Sequence, residues 1–564
     1  MTSISEQIID VQNEYIRQCK IGLFAICTIP DNIEPLQIDC AFHLKTKYNK
    51  WLLLKNHKIY NIEVEKQILK VWICKVIDIP DTLESPESNE DIPQVNIIYG
   101  RCINSMTFLD KVYRDYVYRH KFKKDDILAI KSVAGSGKTT TLLNLAKQHS
   151  NKRILYIAFN KSLILDIRSK LIDQNIKNLY PTTFDALTRD VFINKTGIKP
   201  DIVDLKPQTL PNIIDWFKNK PYKIKNYYIS NYAKFCNQTT YKDMKSYCIN
   251  ILGDEKKLLN MMWDQSLINE FLTFDTIRKL VEINNWCKGY IDNKYDMIFI
   301  DESQDFDNIM LKILLDDTTI PKIFVGDPRQ AIYEWRGCIN AFDKLPERTL
   351  TVEFYSTFRI GEPACESIRS KFNNCWMISK SVNNTVLRYD IVPNERYVYL
   401  FRSWKNLLQT AQKTKNIWIY NYDSQVEYIK RLHNKLQIGK MDEEELNDFS
   451  DDLPKFLLKL SLEDLEKLIN SIEANLVKKE DSTVELYTIH SYKGLESDII
   501  RIYNDIDIKN EHNIYYVALT RGKKEIILDT TVIHYETEVA TKKQTTIMKY
   551  GFKKKSMGNS IILL

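Results

Sequence analysis

The segment that most constrains the fold is "SVAGSGKTT" (132–140), which lies between an apolar run and a helical pattern. A strand, a glycine-rich loop and a helix in this order predict a phosphate loop, where backbone N–H groups and the helix N-terminus hold phosphate oxygens. Lys138 is expected to reach the β and γ phosphates and Thr139 to hold Mg²⁺. Ser132 replaces the first glycine of the strict pattern and is small enough to keep the turn. The predicted nucleotide contacts are Gly135, Ser136, Gly137, Lys138, Thr139 and Thr140.

A pair of acidic residues follows a second apolar strand in "FIDESQD" (299–305). Asp301, at the strand end, can hold Mg²⁺ through water, and Glu302 can polarise an attacking water as a general base. Such a pair is common on protein surfaces when it occurs alone. Beside a phosphate loop, it predicts hydrolysis of a nucleoside triphosphate.

The segment "GDPRQAIYEWRG" (326–337) combines polar side chains and aromatic rings on one turn. A core segment would hide Tyr333 and Trp335 and would not place Gln330 and Arg336 among them. Stacking of a base on an aromatic ring contributes about 1–3 kcal/mol and does not depend on base identity. The residues alone leave open whether this segment is packing or part of a site, and contact with a nucleic-acid strand is what the family resemblance described below implies.

Length and composition exclude several classes of protein. At 564 residues the chain is too long for one core. Its 11 cysteines contain no C-x-x-C pair, which argues against zinc ribbons, iron–sulfur clusters and disulfide frameworks. No apolar stretch approaches the roughly 18 residues of a membrane span, and the start lacks a signal-peptide profile. We expect a soluble intracellular protein without a membrane partner, in the nucleus or cytoplasm, including a viral replication site.

Strands alternate with helices twice along the chain, which predicts two α/β domains, each with a helical insertion. The first domain is expected at 101–190 and 286–348, with its insertion at 191–285. The second is expected at 349–425 and 482–535, with a short acidic insertion at 426–481. Residues 1–100 are expected to form a small β-rich domain, and 536–564 a basic C-terminal tail.

Eight segments in order resemble the superfamily 1 helicases of the UvrD/Rep group, and in particular the F-box DNA helicase branch. They are "AGSGKT", "YIAFNKS", "PTTFDAL", "IDESQD", "VGDPRQAIYEWRG", "STFR", "TIHSYKGLE" and "YYVALTRGKK". The resemblance covers about residues 126–532 and includes no visible F-box. It implies two RecA-like P-loop NTPase motor domains with helical insertions.

The resemblance also implies roles for residues that the motifs alone do not explain. Gln330 would sense the γ-phosphate, which Arg359 and Arg521 would reach from the second motor domain. Phe358 would stack on the base, and Glu496 would contact the ribose or support the hinge. Arg336 would hold its segment near the nucleotide. The implied nucleic-acid contacts are Phe159, Asn160, Lys161, Thr183, Phe184, Tyr333, Trp335, Arg336, His490 and Lys493.

The chain departs from the family pattern at several positions. The family's adenine-reading Gln has no counterpart in 100–131. Asp185 stands where a His is common, and Gly522 where an Ala is common. The acidic insertion is shorter than usual.

Together these features predict an ATP-dependent DNA helicase that translocates on single-stranded DNA and unwinds duplex, and the resemblance alone implies that it moves 3′ to 5′. ATP and Mg²⁺ would be its cofactors, single-stranded DNA and single-strand/duplex junctions its partners, and DNA repair, replication or recombination its setting. It would act as a monomer, with residues 1–100 available to a protein partner. The alternatives are a translocase that strips proteins or remodels recombination intermediates with weak unwinding, and an ATP-gated single-strand-binding module. RNA as the track stays open, and 1–100 lacks a complete nuclease constellation.

Overall fold

The computed structural model describes residues 103–207, 209–251, 253–268, 271–333, 337–372, 375–437 and 453–529, together with five strands before residue 100. These residues divide into two units, Met1–Val382 and Asn383–Leu564. The C-terminal tail, residues 536–564, lies outside the described residues.

The five N-terminal strands form one antiparallel sheet with the order β2-β3-β4-β1-β5. This agrees with the β-rich domain expected at 1–100. The strands are β1 (Phe24–Thr28), β2 (Trp51–Lys55), β3 (Lys58–Ile68), β4 (Val71–Asp78) and β5 (Asn96–Tyr99).

The first unit also contains a six-stranded parallel sheet with the order β11-β6-β10-β9-β7-β8. Its strands are β6 (Ile127–Ser132), β7 (Ile154–Ala158), β8 (Leu179–Thr183), β9 (Met297–Ile300), β10 (Lys322–Gly326) and β11 (Leu350–Phe354). A small parallel pair, β12 (Ser356–Thr357) and β13 (Ile378–Ser379), follows.

The helices of this unit surround the sheet and build the insertion predicted at 191–285. They are α1 (Ile103–Arg119), α2 (Lys138–Gln148), α3 (Lys161–Asp173), α4 (Phe184–Thr196), α5 (Leu210–Ile213), α6 (Tyr222–Asn237), α7 (Met244–Tyr247), α8 (Gly253–Leu267), α9 (Phe274–Ile283), α10 (Tyr290–Lys294), α11 (Asn308–Asp316) and α12 (Glu362–Lys371).

The central sheet separates two apolar cores because successive side chains of a strand point to opposite faces. Ala129 of β6 packs with the insertion helices, whereas Leu128 and Ile130 pack with α1 and α2. Both faces are covered, which explains why the strands read as continuous apolar runs. The insertion is thus fixed to the sheet through a shared core.

The second unit is a six-stranded parallel sheet with the order β14-β19-β18-β15-β17-β16. The strands are β14 (Val386–Tyr389), β15 (Tyr397–Phe401), β16 (Ile417–Ile419), β17 (Val484–Thr488), β18 (Ser497–Ile502) and β19 (Gly522–Leu528). Its helices are α13 (Trp404–Lys413), α14 (Tyr422–Gln437), α15 (Leu453–Leu458), α16 (Leu462–Glu473), α17 (Ile489–Tyr492) and α18 (His512–Leu519).

The structure confirms the predicted fold class of two parallel α/β units with helical insertions, but it moves their boundary. Residue 349 was expected to begin the second domain. Instead β11 pairs in parallel with β6, so the segment after residue 349 completes the first sheet. The division falls between Val382 and Asn383.

An ion-pair cluster around Arg278 links the insertion to the sheet's connecting helices. Arg278, on α9, pairs with Asp185 at 2.5 Å, with Asp275, and with Asp307 at 3.6 Å. Burial raises the pKa of the Asp307 carboxyl, and the Arg278 charge opposes that rise. Asp307 also caps α11, since its Oδ1 accepts from Met310 N at 2.8 Å.

We expect Arg278→Ala to lower the free energy of unfolding by about 3–5 kcal/mol, because it leaves the Asp307 carboxylate buried without its partner. Thermal unfolding of the full chain measures the effect. The control is Lys170→Ala, which removes an exposed i,i+4 pair with Asp166 and should cost no more than about 1 kcal/mol. Equal shifts in the two variants would contradict a structural role for the cluster.

Candidate active site

The predicted phosphate loop joins the end of β6 to the start of α2. Gly135 and Gly137 have φ angles of 70° and 80°, in the left-handed region that favours glycine. Gly137 caps α2, and Lys138 and Thr139 begin the helix. A Cβ atom on Gly135 would lie 2.6 Å from Cβ of Arg359, so the loop also needs glycine for close packing.

Ser132 does more than keep the turn. Its hydroxyl donates to the carbonyl oxygen of Gly326 at 3.0 Å. This bond joins the ends of β6 and β10, which are neighbours in the sheet. The departure from the strict phosphate-loop pattern therefore adds a cross-strand contact that the motif did not predict.

The acidic pair after β9 lies beside the phosphate loop. Lys138 Nζ is 3.5 Å from Glu302 Oε2, and Thr139 Oγ1 donates to Asp301 Oδ2 at 3.4 Å. Tyr156, on β7, donates its hydroxyl to the same Asp301 oxygen at 2.5 Å. Glu302 itself has a φ of 51°, an uncommon conformation for a non-glycine residue. The structure thus brings together the four residues predicted to handle phosphate, metal and water.

The electrostatics of the site follow from burial of opposite charges. Burial would lower the pKa of the Lys138 ammonium, but the surrounding carboxylates outweigh burial and raise that pKa. Those carboxylates belong to Glu302, Asp327 and Asp301. Burial and the neighbouring Glu302 charge raise the pKa of the Asp301 carboxyl. The ammonium is therefore held in its charged form.

Hydrogen bonds connect this charge cluster to the turn that contains Gln330. Gln304 Nε2 donates to Glu302 Oε2 at 2.7 Å, and Gln304 Oε1 accepts from the backbone N of Asp327 at 3.1 Å. Asp327 Oδ2 in turn accepts from Gln330 Nε2 at 2.8 Å. Sequence reasoning placed Gln330 near the phosphates but missed Gln304 and Asp327 as the residues that connect it to Glu302.

Phe358 and Arg359 lie against the phosphate loop within the first unit. The backbone N of Phe358 donates to Gly135 O at 2.8 Å, and the Phe358 side chain is 55% exposed. The sequence assigned Arg359 to the second motor domain, and that assignment is wrong. Because β11 pairs with β6, the segment that follows β11 reaches the loop from the same sheet.

A groove with a volume of about 1240 Å³ lies between the sheet edge and the helical insertion. Phe159 and Asn160 line it, and the Phe159 ring stacks on Tyr333 with centroids 5.4 Å apart and planes 18° from parallel. Asp185 lines it as well but is paired with Arg278. Trp335 and Arg336 lie outside the described residues.

Other predicted strand contacts have local structural roles. Asn160 caps α3 and Thr183 caps α4 through their side-chain oxygens. Phe184 is 2% exposed and packs edge-to-face on Phe306, as a core residue does. Lys161 is exposed at the start of α3.

The remaining predicted residues belong to the second unit. His490 lies on α17, and Lys493 and Glu496 follow it. Arg521 is 1% exposed and donates to the carbonyl oxygen of Val517 at 2.9 Å. Their predicted roles stay predictions.

No helix among the described residues is long and apolar enough to cross a bilayer. No described group of three or more His, Cys, Asp or Glu side chains could hold a metal ion by itself. A Mg²⁺ ion that takes only one or two protein oxygens and completes its shell with phosphates and water needs no such group.

Comparison with known proteins shows which proteins the region around this site is similar to. The family model for the UvrD/REP helicase N-terminal domain matches residues 120–347. F-box DNA helicase 1 of Gallus gallus is 24% identical over 505 residues, which are 74% of this chain and 49% of that protein. F-box DNA helicase protein 1 of Schizosaccharomyces pombe is 23% identical over 72% of this chain and 56% of its own length. The Gabija protein GajB of Bacillus cereus is 23% identical over 488 residues, which are 70% of this chain and 91% of that protein.

These matches confirm the resemblance that the motifs carry. The chain spans about half the length of the two F-box DNA helicases.

The close contact between Gly326 and Gln304 gives a test of the hydrogen-bonded connection. A Cβ atom on Gly326 would lie 2.3 Å from Gln304 Oε1, so Gly326→Ala must displace that side chain from Glu302 and Asp327. We expect nucleotide hydrolysis to fall about tenfold, since overpacking of this kind costs about 1–3 kcal/mol. In a Gln304→Ala background, Gly326→Ala should lower the hydrolysis rate little further. Additive losses in steady-state assays would show that Gly326 acts through another contact.

Proposed function

We propose that this chain, whose residues 120–347 form a UvrD/REP helicase N-terminal domain, is an ATP-dependent motor. It would translocate 3′ to 5′ on single-stranded DNA and unwind duplex. The observation that carries the proposal is the hydrogen-bonded connection from Lys138 and Glu302 through Gln304 and Asp327 to Gln330. That connection ends on the turn that leads to Tyr333, whose ring stacks on Phe159. The polarity rests on the family resemblance alone.

The phosphate loop and its neighbours fit a nucleotide with Mg²⁺. The Thr139 hydroxyl and the Asp301 carboxylate are oxygen ligands of the kind that Mg²⁺ prefers, and they would hold the ion. Ser136 Oγ is buried and has no hydrogen-bond partner among the described residues, as a loop that awaits phosphate oxygens would leave it. When bound, Mg²⁺ would supply positive charge that offsets the negative charge of the phosphates.

Four residues of this chain would then have separate roles in hydrolysis. The Lys138 ammonium would move from Glu302 to the triphosphate, because the carboxylate and the phosphates both attract it through their negative charge. The freed Glu302 carboxylate would orient the attacking water and take its proton. Gln304 would hold that carboxylate in position, because its amide already donates to Glu302 Oε2. Arg359, beside Gly135, would stabilise the charge that develops on the γ-phosphate.

Coupling to the strand would run through Asp327. A change at Glu302 shifts Gln304, which bonds the backbone of Asp327, and Asp327 holds the Gln330 amide. The same turn places the Tyr333 ring on Phe159 at the groove. Each nucleotide state would therefore alter the stacking platform for the bases.

The groove suits bases better than phosphates on its insertion side. Asp185 and Asp275 are about one-third exposed there and carry more negative charge than Arg278 balances. A DNA backbone would be repelled by this wall, whereas stacking on Phe159 and Tyr333 does not depend on base identity. We infer that the bases enter the groove while the phosphates face solvent or Lys161.

The test compares ATP hydrolysis with and without single-stranded DNA, and then unwinding of 3′-tailed and 5′-tailed duplexes. DNA-stimulated hydrolysis with unwinding of the 3′-tailed substrate supports the proposal. If single-stranded DNA does not stimulate hydrolysis, the proposed motor activity is wrong. Stimulation without unwinding would favour a translocase. Equal stimulation by RNA would show that the protein also uses RNA as its strand. A protein partner for residues 1–100 is a separate proposal that a binding assay with that region can test.

Glu302→Gln should retain ATP binding and lose turnover, because the amide keeps the shape of the side chain but cannot accept a proton. Removal of the base should lower kcat by about 10²–10⁴-fold. The comparison is Lys138→Ala, which should lose both binding and hydrolysis. A Glu302→Gln enzyme that still turns over normally would assign the base to another residue.

Phe159→Ala should reduce DNA-stimulated hydrolysis much more than basal hydrolysis, since it removes one ring of the stacked pair. Loss of base stacking is expected to weaken DNA affinity by about 1–3 kcal/mol, measured by fluorescence anisotropy. Tyr180→Ala is the matched control, because Tyr180 is an aromatic residue that is 44% exposed on β8 and does not line the groove. Equal loss of basal and stimulated rates would make the Phe159 ring structural.

A further inference from the structure

Two charged residues of α1 contact both sides of the nucleotide site, although no motif includes them. Asp110 and Arg114 lie one helical turn apart, and Arg114 Nε donates to Asp110 Oδ2 at 2.8 Å. An acid and a base with this spacing are common on helix surfaces and contribute little there. This pair differs because Asp110 is 5% exposed and the Arg114 side chain is 20% exposed.

Asp110 holds the segment that leads to Phe358. Its Oδ1 accepts from the backbone N of Tyr355 at 2.7 Å and of Ser356 at 2.9 Å. Its Oδ2 accepts from the Ser356 hydroxyl at 2.7 Å. One buried carboxylate therefore fixes the chain where it leaves β11 and turns toward Phe358 and Arg359.

Arg114 holds the phosphate loop. Its Nη2 donates to the carbonyl oxygen of Ser136 at 3.0 Å, inside the loop. Its guanidinium lies 4.2 Å from the ring centroid of Phe354 and 5.4 Å from that of Phe358. The guanidinium thus contacts the loop, the strand end and the ring beside Gly137.

The planar fork of arginine is what makes this geometry possible. Its N–H groups point in fixed directions, so the bond to Asp110 sets the direction of the bond to Ser136. A lysine could keep the charge but has no second donor in a fixed plane. This side chain therefore adds a second connection between the phosphate loop and the segment after β11, beside the main-chain bond from Phe358 N to Gly135 O.

We propose that Asp110 and Arg114 are a positioning pair that sets Phe358 and Arg359 against the phosphate loop for nucleotide binding and hydrolysis. The inference rests on the proposed ATPase function. Neither residue touches the reacting atoms. Arg114 acts through the Ser136 peptide and the Phe358 ring, and Asp110 acts through the backbone of Tyr355 and Ser356.

The experiment compares Arg114→Gln, Arg114→Lys, Arg359→Gln and the double variant Arg114→Gln/Arg359→Gln in the full chain. The matched control is Arg119→Gln, an exposed arginine in the last turn of the same helix. Each protein is titrated with a fluorescent ATP analogue to obtain Kd, and kcat and KM for ATP are measured with saturating single-stranded DNA. Thermal unfolding of each variant checks that it folds. Ser356→Ala, which removes a single bond to Asp110, replaces Arg114→Gln if that variant does not fold.

We expect Arg114→Gln to raise the Kd of the analogue and to lower kcat/KM by about tenfold or more, the loss typical of hydrogen bonds to a charged group. Arg114→Lys should not restore either quantity. In the Arg359→Gln background, Arg114→Gln should change kcat less than twofold, because residues that act through one another are not additive.

Three results would overturn the proposal. One is a Kd and kcat/KM for Arg114→Gln within twofold of the Arg119→Gln control. The second is full additivity with Arg359→Gln, and the third is complete rescue by Arg114→Lys. If the wild-type chain binds the analogue but does not hydrolyse ATP, the proposed function fails, and the Kd comparison still decides the role of the pair.

Discussion

The candidate active site depends on the balance between the Lys138 ammonium and three carboxylates, of which Asp301 and Asp327 are buried and Glu302 is partly buried. Buried charges are stable only when they are paired and hydrogen-bonded. Here α2 supplies the cation, and the ends of β9 and β10 supply the anions, so the sheet edge is held partly by charge. Tyr156, Gln304 and Gln330 each donate to one of the carboxylates. Under the proposed function, a bound triphosphate would add negative charge to this balance, and the pairs would have to rearrange.

The fold makes that rearrangement reach distant parts of the unit. Parallel strands bring their carboxyl ends to one edge of the sheet, where ligands of open α/β sheets bind. The loops after β6, β9, β10 and β11 all meet there. The insertion packs on one face of the same sheet, and the Arg278 cluster ties its last helix to the start of α11. Packed side chains and ion pairs therefore connect the sheet edge to the groove.

Sequence alone could predict the parts of the site whose chemistry is local. The phosphate loop, the Asp301–Glu302 pair and the Gln330 turn each lie within a few residues of an apolar strand. A strand such as β15 cannot be predicted in the same way, because a five-residue apolar run has no periodicity that separates it from a buried helix. The assignment of β11 to the second domain was wrong, because its partner β6 lies far away in the sequence and local patterns do not reveal such pairing. Asp110 and Arg114 carried no signal, because their spacing is that of an ordinary surface ion pair.

The parallel pairing of β11 with β6 has a consequence for how such a protein can vary. Phe358 and Arg359 are in register with the phosphate loop through main-chain hydrogen bonds of one sheet. Insertions, deletions or domain replacement after Val382 would leave that register intact. The second unit is therefore free to diverge in length and surface while the nucleotide site keeps one of its two predicted arginines. The main-chain register between β11 and the phosphate loop therefore does not depend on the sequence of the second unit.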